Sequence, residues 1–115
     1  RALAWGFLYT GQLEKAVKLY AEIIADESAS AVDYLNAGYS SWFDKQIEEA
    51  AQQFADYLLK LKKDSADAAK ENNLSSNALL EEFQEDLLLL AKYGISEVEM
   101  RLMADISTRN SHNKN

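Results

Sequence analysis

Apolar residues recur every three or four positions through most of this chain, a period that predicts helices rather than strands. The first helix runs from the start to about Tyr9 and stops near Thr10-Gly11. A second spans about Leu13–Ala25, and "DESAS" after it is a polar break. The third covers about Ala31–Phe43 and the fourth about Gln46–Lys62, with Asp44 as its expected N-cap and a Lys-rich last turn suited to the helix dipole. Residues 63–77, "KDSADAAKENNLSSN", are polar and small and sustain no apolar stripe. They are expected to form a linker or a lid in which "SADAAKE" supplies a helical turn. Beyond them, "ALLEEFQEDLLLLAKYG" puts Leu79, Leu80, Phe83, Leu87, Leu90 and Ala91 at helical spacing, with Gly94 as the stop. "SEVE" fits a capping box, Ser96 at the N-cap and Glu99 reaching back to it. A short final helix then carries Val98, Leu102, Met103 and Ile106 on one face, and the tail 107–115 is expected to be flexible.

The pattern is written twice. Sliding the chain by 34 residues sets Ala4 on Gly38, Trp5 on Tyr39, Tyr9 on Phe43 and Leu13 on Ile47. Glu14 then meets Glu48, Ala16 meets Ala50, Tyr20 meets Phe54, Ala21 meets Ala55, Ile23 meets Tyr57 and Ile24 meets Leu58. A period of this length signals stacked helix pairs. Small residues at 4/38 and 16/50 let two helices approach where they cross, and Tyr20 and Phe54, one turn on, fill the space beyond. Neither pair alone can cover its apolar stripe, so each needs the other.

These positions resemble the tetratricopeptide repeat, whose period is 34. The small residue of that family's first helix is matched by Ala4 and Gly38, and the Ala-then-aromatic step of its second helix by Ala16–Tyr20 and Ala50–Phe54. Tyr34 stands where a large aromatic precedes them, while Ser28 and Lys62 replace the usual closing Pro. The resemblance covers about residues 1–62 and implies an all-α, alpha-alpha superhelix. On that basis residues 1–106 form one domain: repeats at about 1–28 and 29–62, the insertion 63–77, and a helical hairpin at 78–106. The hairpin is either a diverged third repeat or cap, or an unrelated helix pair. Gln84 stands where the crossing Ala would fall in strict phase.

The resemblance also implies a function class. In this family the first helices of the repeats line a concave groove that holds peptides, which maps here to Trp5, Leu8 and Tyr9, then Leu35, Asn36, Tyr39, Trp42 and Phe43. Such an aromatic strip suits an apolar segment, because rigid rings bury large area at low entropic cost. The competing expectation is that these rings are packed against the 79–106 helices or against further helices upstream. Some family members grip a terminal carboxylate with basic and Asn side chains. Arg1 and Asn36 hold two of those positions, whereas Trp5 stands where a second Asn is expected.

Composition narrows the alternatives. With 115 residues the chain has one domain's worth of core, and the absence of Pro and the presence of only four Gly leave little to interrupt helices. Its net charge of −7 repels phosphate backbones and anionic lipid, which argues against nucleic acid and membrane surfaces as partners. The longest wholly apolar run, Leu87–Ala91, is far short of a membrane span. No cysteine is present, so disulfides, thiolate metal sites and a Cys nucleophile are excluded, and the chain suits cytoplasm and periplasm alike. It opens in mid-helix at Arg1-Ala2-Leu3 with no leader, as a segment of a longer protein would.

Catalysis has little to draw on. His112, the single histidine, lies in the polar tail. Glu48-Glu49, Glu81-Glu82 and Glu85-Asp86 alternate with apolar residues, as the solvated faces of amphipathic helices do. No Gly-rich phosphate loop and no nucleophile–His–acid constellation is present. Asn73-Leu74-Ser75 matches a glycosylation acceptor, a motif too short to carry a role. The expected function is therefore a non-catalytic protein–protein interaction module or scaffold without cofactor or metal, taking a partner peptide or helix in the groove. The alternatives are a docking or regulatory segment of a larger enzyme or sensor, and self-association as a homo-oligomer through the N-terminal edge at Arg1–Tyr9.

Overall fold

The computed structural model describes residues 2–64 and 76–113. Seven helices and no strand occur among them: α1 (Ala2–Tyr9), α2 (Leu13–Ile24), α3 (Ala31–Phe43), α4 (Ile47–Asp64), α5 (Ser76–Glu85), α6 (Leu87–Lys92) and α7 (Glu97–Asn113). The fold is all-helical. Most of the expected insertion, with the Asn73-Leu74-Ser75 motif, lies outside the described residues.

The first four helices fall within two residues of their expected bounds, and their turns explain why. α1 is closed by Gly11 (φ 83°), two residues past its end, and the Gln12 N–H donates across the turn to the Phe7 carbonyl at 2.9 Å. One period later Lys45 adopts φ 65° and the Gln46 N–H donates to the Ser41 carbonyl at 2.8 Å. Gly94 (φ 74°) repeats the device after α6, with Ile95 N–H to the Leu90 carbonyl at 3.0 Å. Each is a left-handed residue closing a helix by a six-residue hydrogen-bonded loop. At position 45 a side chain sits where the backbone prefers glycine. Lys45→Gly is therefore expected to stabilise the chain by about 0.5–1 kcal/mol, read as a higher urea midpoint at unchanged slope.

This turn also corrects the expected N-cap. Asp44 belongs to the end of α3, its N–H bonded to the Ser40 carbonyl, and the residue preceding α4 is Gln46. The Asp44 carboxylate accepts from Gln46 Nε2 at 2.8 Å instead of from the α4 backbone. α3 carries the capping box that the pattern reading passed over. Asp33 accepts from the Ser30 N–H at 2.9 Å and from its hydroxyl at 3.2 Å.

α1 packs on α2, α2 on α3 and α3 on α4. Ala16 and Ala50 are fully buried, as are Tyr20 and Phe54 one turn beyond them. Ala4 and Tyr20 close the first pair together with Ala37, and in the second the Phe54 ring lies directly over Gly38. A Cβ on Gly38 would stand 2.5 Å from Phe54 Cε1.

Beyond α4 the succession changes. The backbone neighbour of α4 is α7, and α5 packs along α7. The radius of gyration, 13.3 Å, matches a compact domain of this length, about 13 Å, so the last helices fold back on the first four. The expected continuous helix over the Leu-rich stretch breaks at Asp86 (φ −101°, ψ 22°), which turns Leu89 and Leu90 inward and leaves Leu87 and Ala91 exposed. α7 is longer than expected and takes in residues 107–113 of the predicted tail. Its inner face is also rotated from the expected one. Met100, Met103, Ala104, Ser107 and Ser111 are buried, whereas Val98 and Leu102 face out. Small residues at 104, 107 and 111 let α7 lie close to α4, where Ala51 and Ala55 are equally small and buried.

Candidate functional site

The residues expected to line an open groove divide sharply. Leu35, Tyr39, Trp42 and Phe43 are buried, as is Leu8, while Trp5 and Asn36 are half-buried. Tyr9 is 45% exposed, its ring in edge contact with Trp5 at 4.6 Å. The strip is filled from within. Phe83 of α5 inserts among Tyr39, Trp42 and Phe54, with ring centroids 6.1, 5.1 and 5.3 Å away. Tyr93, after α6, stacks on Phe43 at 4.2 Å and donates its hydroxyl to the Leu8 carbonyl. Lys92 donates to the Tyr9 carbonyl and lies 5.7 Å from the Tyr9 ring centre. The physical reason is area: rings of this size are costly to leave wet when a neighbouring helix can cover them. Of the carboxylate-clamp positions, Asn36 is half-buried on α3, and Arg1 lies outside the described residues.

The same interface holds a polar cluster. Tyr39 on α3 donates to Asp86 Oδ2 at 2.6 Å, and Tyr57 on α4 donates to Glu82 Oε1 at a longer 3.4 Å. Glu82 and Asp86 stand four residues apart, the first on α5 and the second at the junction between α5 and α6. Burial, then the hydrogen bond and charge of Asp86 and the charge of Glu85, push the Glu82 carboxyl up to about 7. Burial is also the main cause raising the Tyr39 and Tyr57 hydroxyls above the ordinary tyrosine value, the neighbouring carboxylates adding to it. Glu48, Glu49, Glu81 and Glu85 are exposed as expected, but Glu82 and Asp86 point into the structure rather than lying on a solvated face. A signal for Asp86 was present: positions 79, 83, 86 and 90 form one stripe in which it is the single carboxylate.

A second feature lies at the surface. Trp42, Ile47, Glu99, Leu102, Met103 and Ile106 line a cleft of about 160 Å³ between the start of α4 and α7. Ile47 is 45% and Leu102 57% exposed, and Val98, one turn before Leu102, is 67% exposed. Glu99 is tied to the start of α7, accepting from the Ser96 N–H at 3.1 Å while its own N–H donates to Ser96 Oγ at 3.2 Å. This is the capping box anticipated from "SEVE".

His112 is exposed near the end of α7. Among the described residues no group of three or more His, Asp or Glu is placed to hold a metal ion, and no helix is long and apolar enough to cross a membrane. No protein-family model, curated protein or solved structure gives a significant match to this chain.

Proposed function

We propose that this chain is a non-catalytic protein-interaction module built on two tetratricopeptide-like helix pairs, and that it docks a partner protein segment on the cleft between α4 and α7. The repeat reading is supported by the in-phase matches, by the buried Ala16/Ala50 and Tyr20/Phe54 positions, and by the two helix-closing turns 34 residues apart. The docking reading rests on one observation: two exposed apolar side chains, Ile47 and Leu102, line one cleft together with Trp42, Met103 and Ile106. Exposed apolar residues are ordinary singly, whereas their gathering around a concavity marks interaction surfaces.

Leu102 is exposed, so Leu102→Asp is expected to change stability by no more than about 0.5 kcal/mol while weakening partner capture at least about tenfold. A photo-crosslinking side chain placed at Leu102 in the native protein is expected to yield adducts with a partner. The same group at Lys18, an exposed position on α2, is expected to yield none. Equal labelling from both positions, or none from Leu102, would remove the docking reading. Adducts made solely with a second copy of the chain would replace it by self-association.

A further inference from the structure

The cleft between α4 and α7 joins an apolar floor to a carboxylate rim. Its volume, about 160 Å³, is below the ~300–1,000 Å³ of small-molecule pockets and suits one large side chain. Trp42 and Met103, both buried, form the floor, while Ile47 and Leu102 stand exposed at the walls. Glu99 lines the cleft itself, its carboxylate placed by the bond it accepts from the Ser96 N–H. Glu99 precedes Leu102 by three residues and Asp105 follows it by three, so both are its neighbours on the helix surface. Across the cleft, Glu48 follows Ile47 and comes one turn before the buried Ala51. Glu48, Glu99 and Asp105 are all exposed. The cations in these stretches are Lys45, in the turn before α4, and Arg101, which is bonded to Glu97 at 2.9 Å.

We infer, on the basis of docking at this cleft, that its occupant is a cationic segment of another protein. That segment seats one bulky apolar side chain between Ile47 and Leu102 and sets Lys or Arg against Glu99, Glu48 and Asp105. Charge selects this occupant over the alternatives. A second copy docked through the same face would bring the two sets of carboxylates together, on chains that each carry −7. A negatively charged segment meets the same repulsion.

The floor and the rim act on different steps of binding. Seating the anchor removes apolar area from water, on the anchor and on Ile47 and Leu102 alike, and so governs how long the complex lasts. The rim carboxylates stay in contact with water, where an ion pair adds little affinity. Their field instead raises the rate at which a positive segment is met in the right orientation and turns away a negative one. Specificity therefore comes from the rim and residence time from the floor.

The experiment selects peptides from a displayed random library on the whole chain at low salt, then measures association and dissociation rates for the tightest of them. The recovered sequences are expected to pair a bulky apolar residue with neighbouring Lys or Arg. Leu102→Ala, which leaves the charge of the rim unchanged, is expected to speed dissociation at least about fivefold. Glu48→Gln combined with Asp105→Asn is expected to slow association about threefold or more, while dissociation changes less than about twofold. Raising NaCl from about 0.05 M to about 0.3 M should slow association to the parent chain by a similar factor, which gives a second reading should the double variant fail to fold. Leu102-dependent peptides that are acidic or uncharged would overturn the inference and leave docking at the cleft standing. So would association that ignores both the carboxylates and salt. Cationic peptides whose dissociation is indifferent to Leu102→Ala, or recovery of no peptide at all, would remove the docking reading and the inference together.

Discussion

Phe83→Ala is expected to destabilise the chain by about 3–5 kcal/mol, the largest loss from any single truncation outside the first two helix pairs. The Phe83 ring is fully buried and touches three other rings, Tyr39, Trp42 and Phe54, which come from two different helices. Removing it leaves a hole whose walls are held elsewhere. Tyr39 is tied to Asp86, Phe54 is wedged over Gly38, and Trp42 is stacked near Phe43 at 6.4 Å. A cavity that cannot collapse keeps both the lost transfer energy and the lost contacts. Small domains carry only about 5–15 kcal/mol of stability, so the variant is expected to unfold at much lower urea. Leu88, four-fold Leu run notwithstanding, is 90% exposed on the same hairpin. Leu88→Ala should stay within about 0.5 kcal/mol of the parent. Urea titrations of the two variants decide the matter, and a loss under about 1 kcal/mol for Phe83→Ala would mean that α5 is not seated as described.

Gly38→Ala is expected to destabilise as well, although alanine is the better helix former by about 1 kcal/mol. The added Cβ would lie 2.5–2.8 Å from three atoms of the Phe54 ring. That ring has nowhere to retreat, because Tyr39, Trp42 and Phe83 lie against its other sides at 5.6, 5.7 and 5.3 Å. Overpacking of this kind costs about 1–3 kcal/mol, so after the helix-propensity gain of about 1 kcal/mol the net loss should reach up to about 2 kcal/mol. The cause can be isolated by a double-mutant cycle. Phe54→Leu removes the far edge of the ring, so the Gly38→Ala penalty should largely vanish in that background, giving a coupling of about 1 kcal/mol or more. Additive effects would place the cost in the α3 backbone instead.

Much of this architecture could be read from the chain because the evidence for it is periodic. α1 to α4 follow from a pattern that occurs twice, and Gly11, Gly94, Ser96 and Glu99 mark helix ends by local backbone chemistry alone. What went unread depends on contacts distant in sequence. The run Leu87–Leu90 has no polar side, so nothing local says which leucines face in; Tyr39, 47 residues away from Asp86, is bonded at the break that decides it. On α7, hydropathy favoured Val98 and Leu102, while close approach to α4 selected Ala104, Ser107 and Ser111. Of the eight groove candidates, five (Leu8, Leu35, Tyr39, Trp42 and Phe43) lie inside. The same rings serve equally well as a binding wall or as core, and only the position of Phe83 distinguishes the two.

The close seat of α7 on α4 bears on how such a chain can lengthen. Repeat arrays grow by copying one unit and laying the copy on the last, which requires the outer flank of that last unit to be vacant. Here the flank of α4 is already taken by α7, which packs against it with Ala104, Ser107 and Ser111 buried. A further helix pair spliced in after Asp64 would have to displace α7 before it could pack on α4.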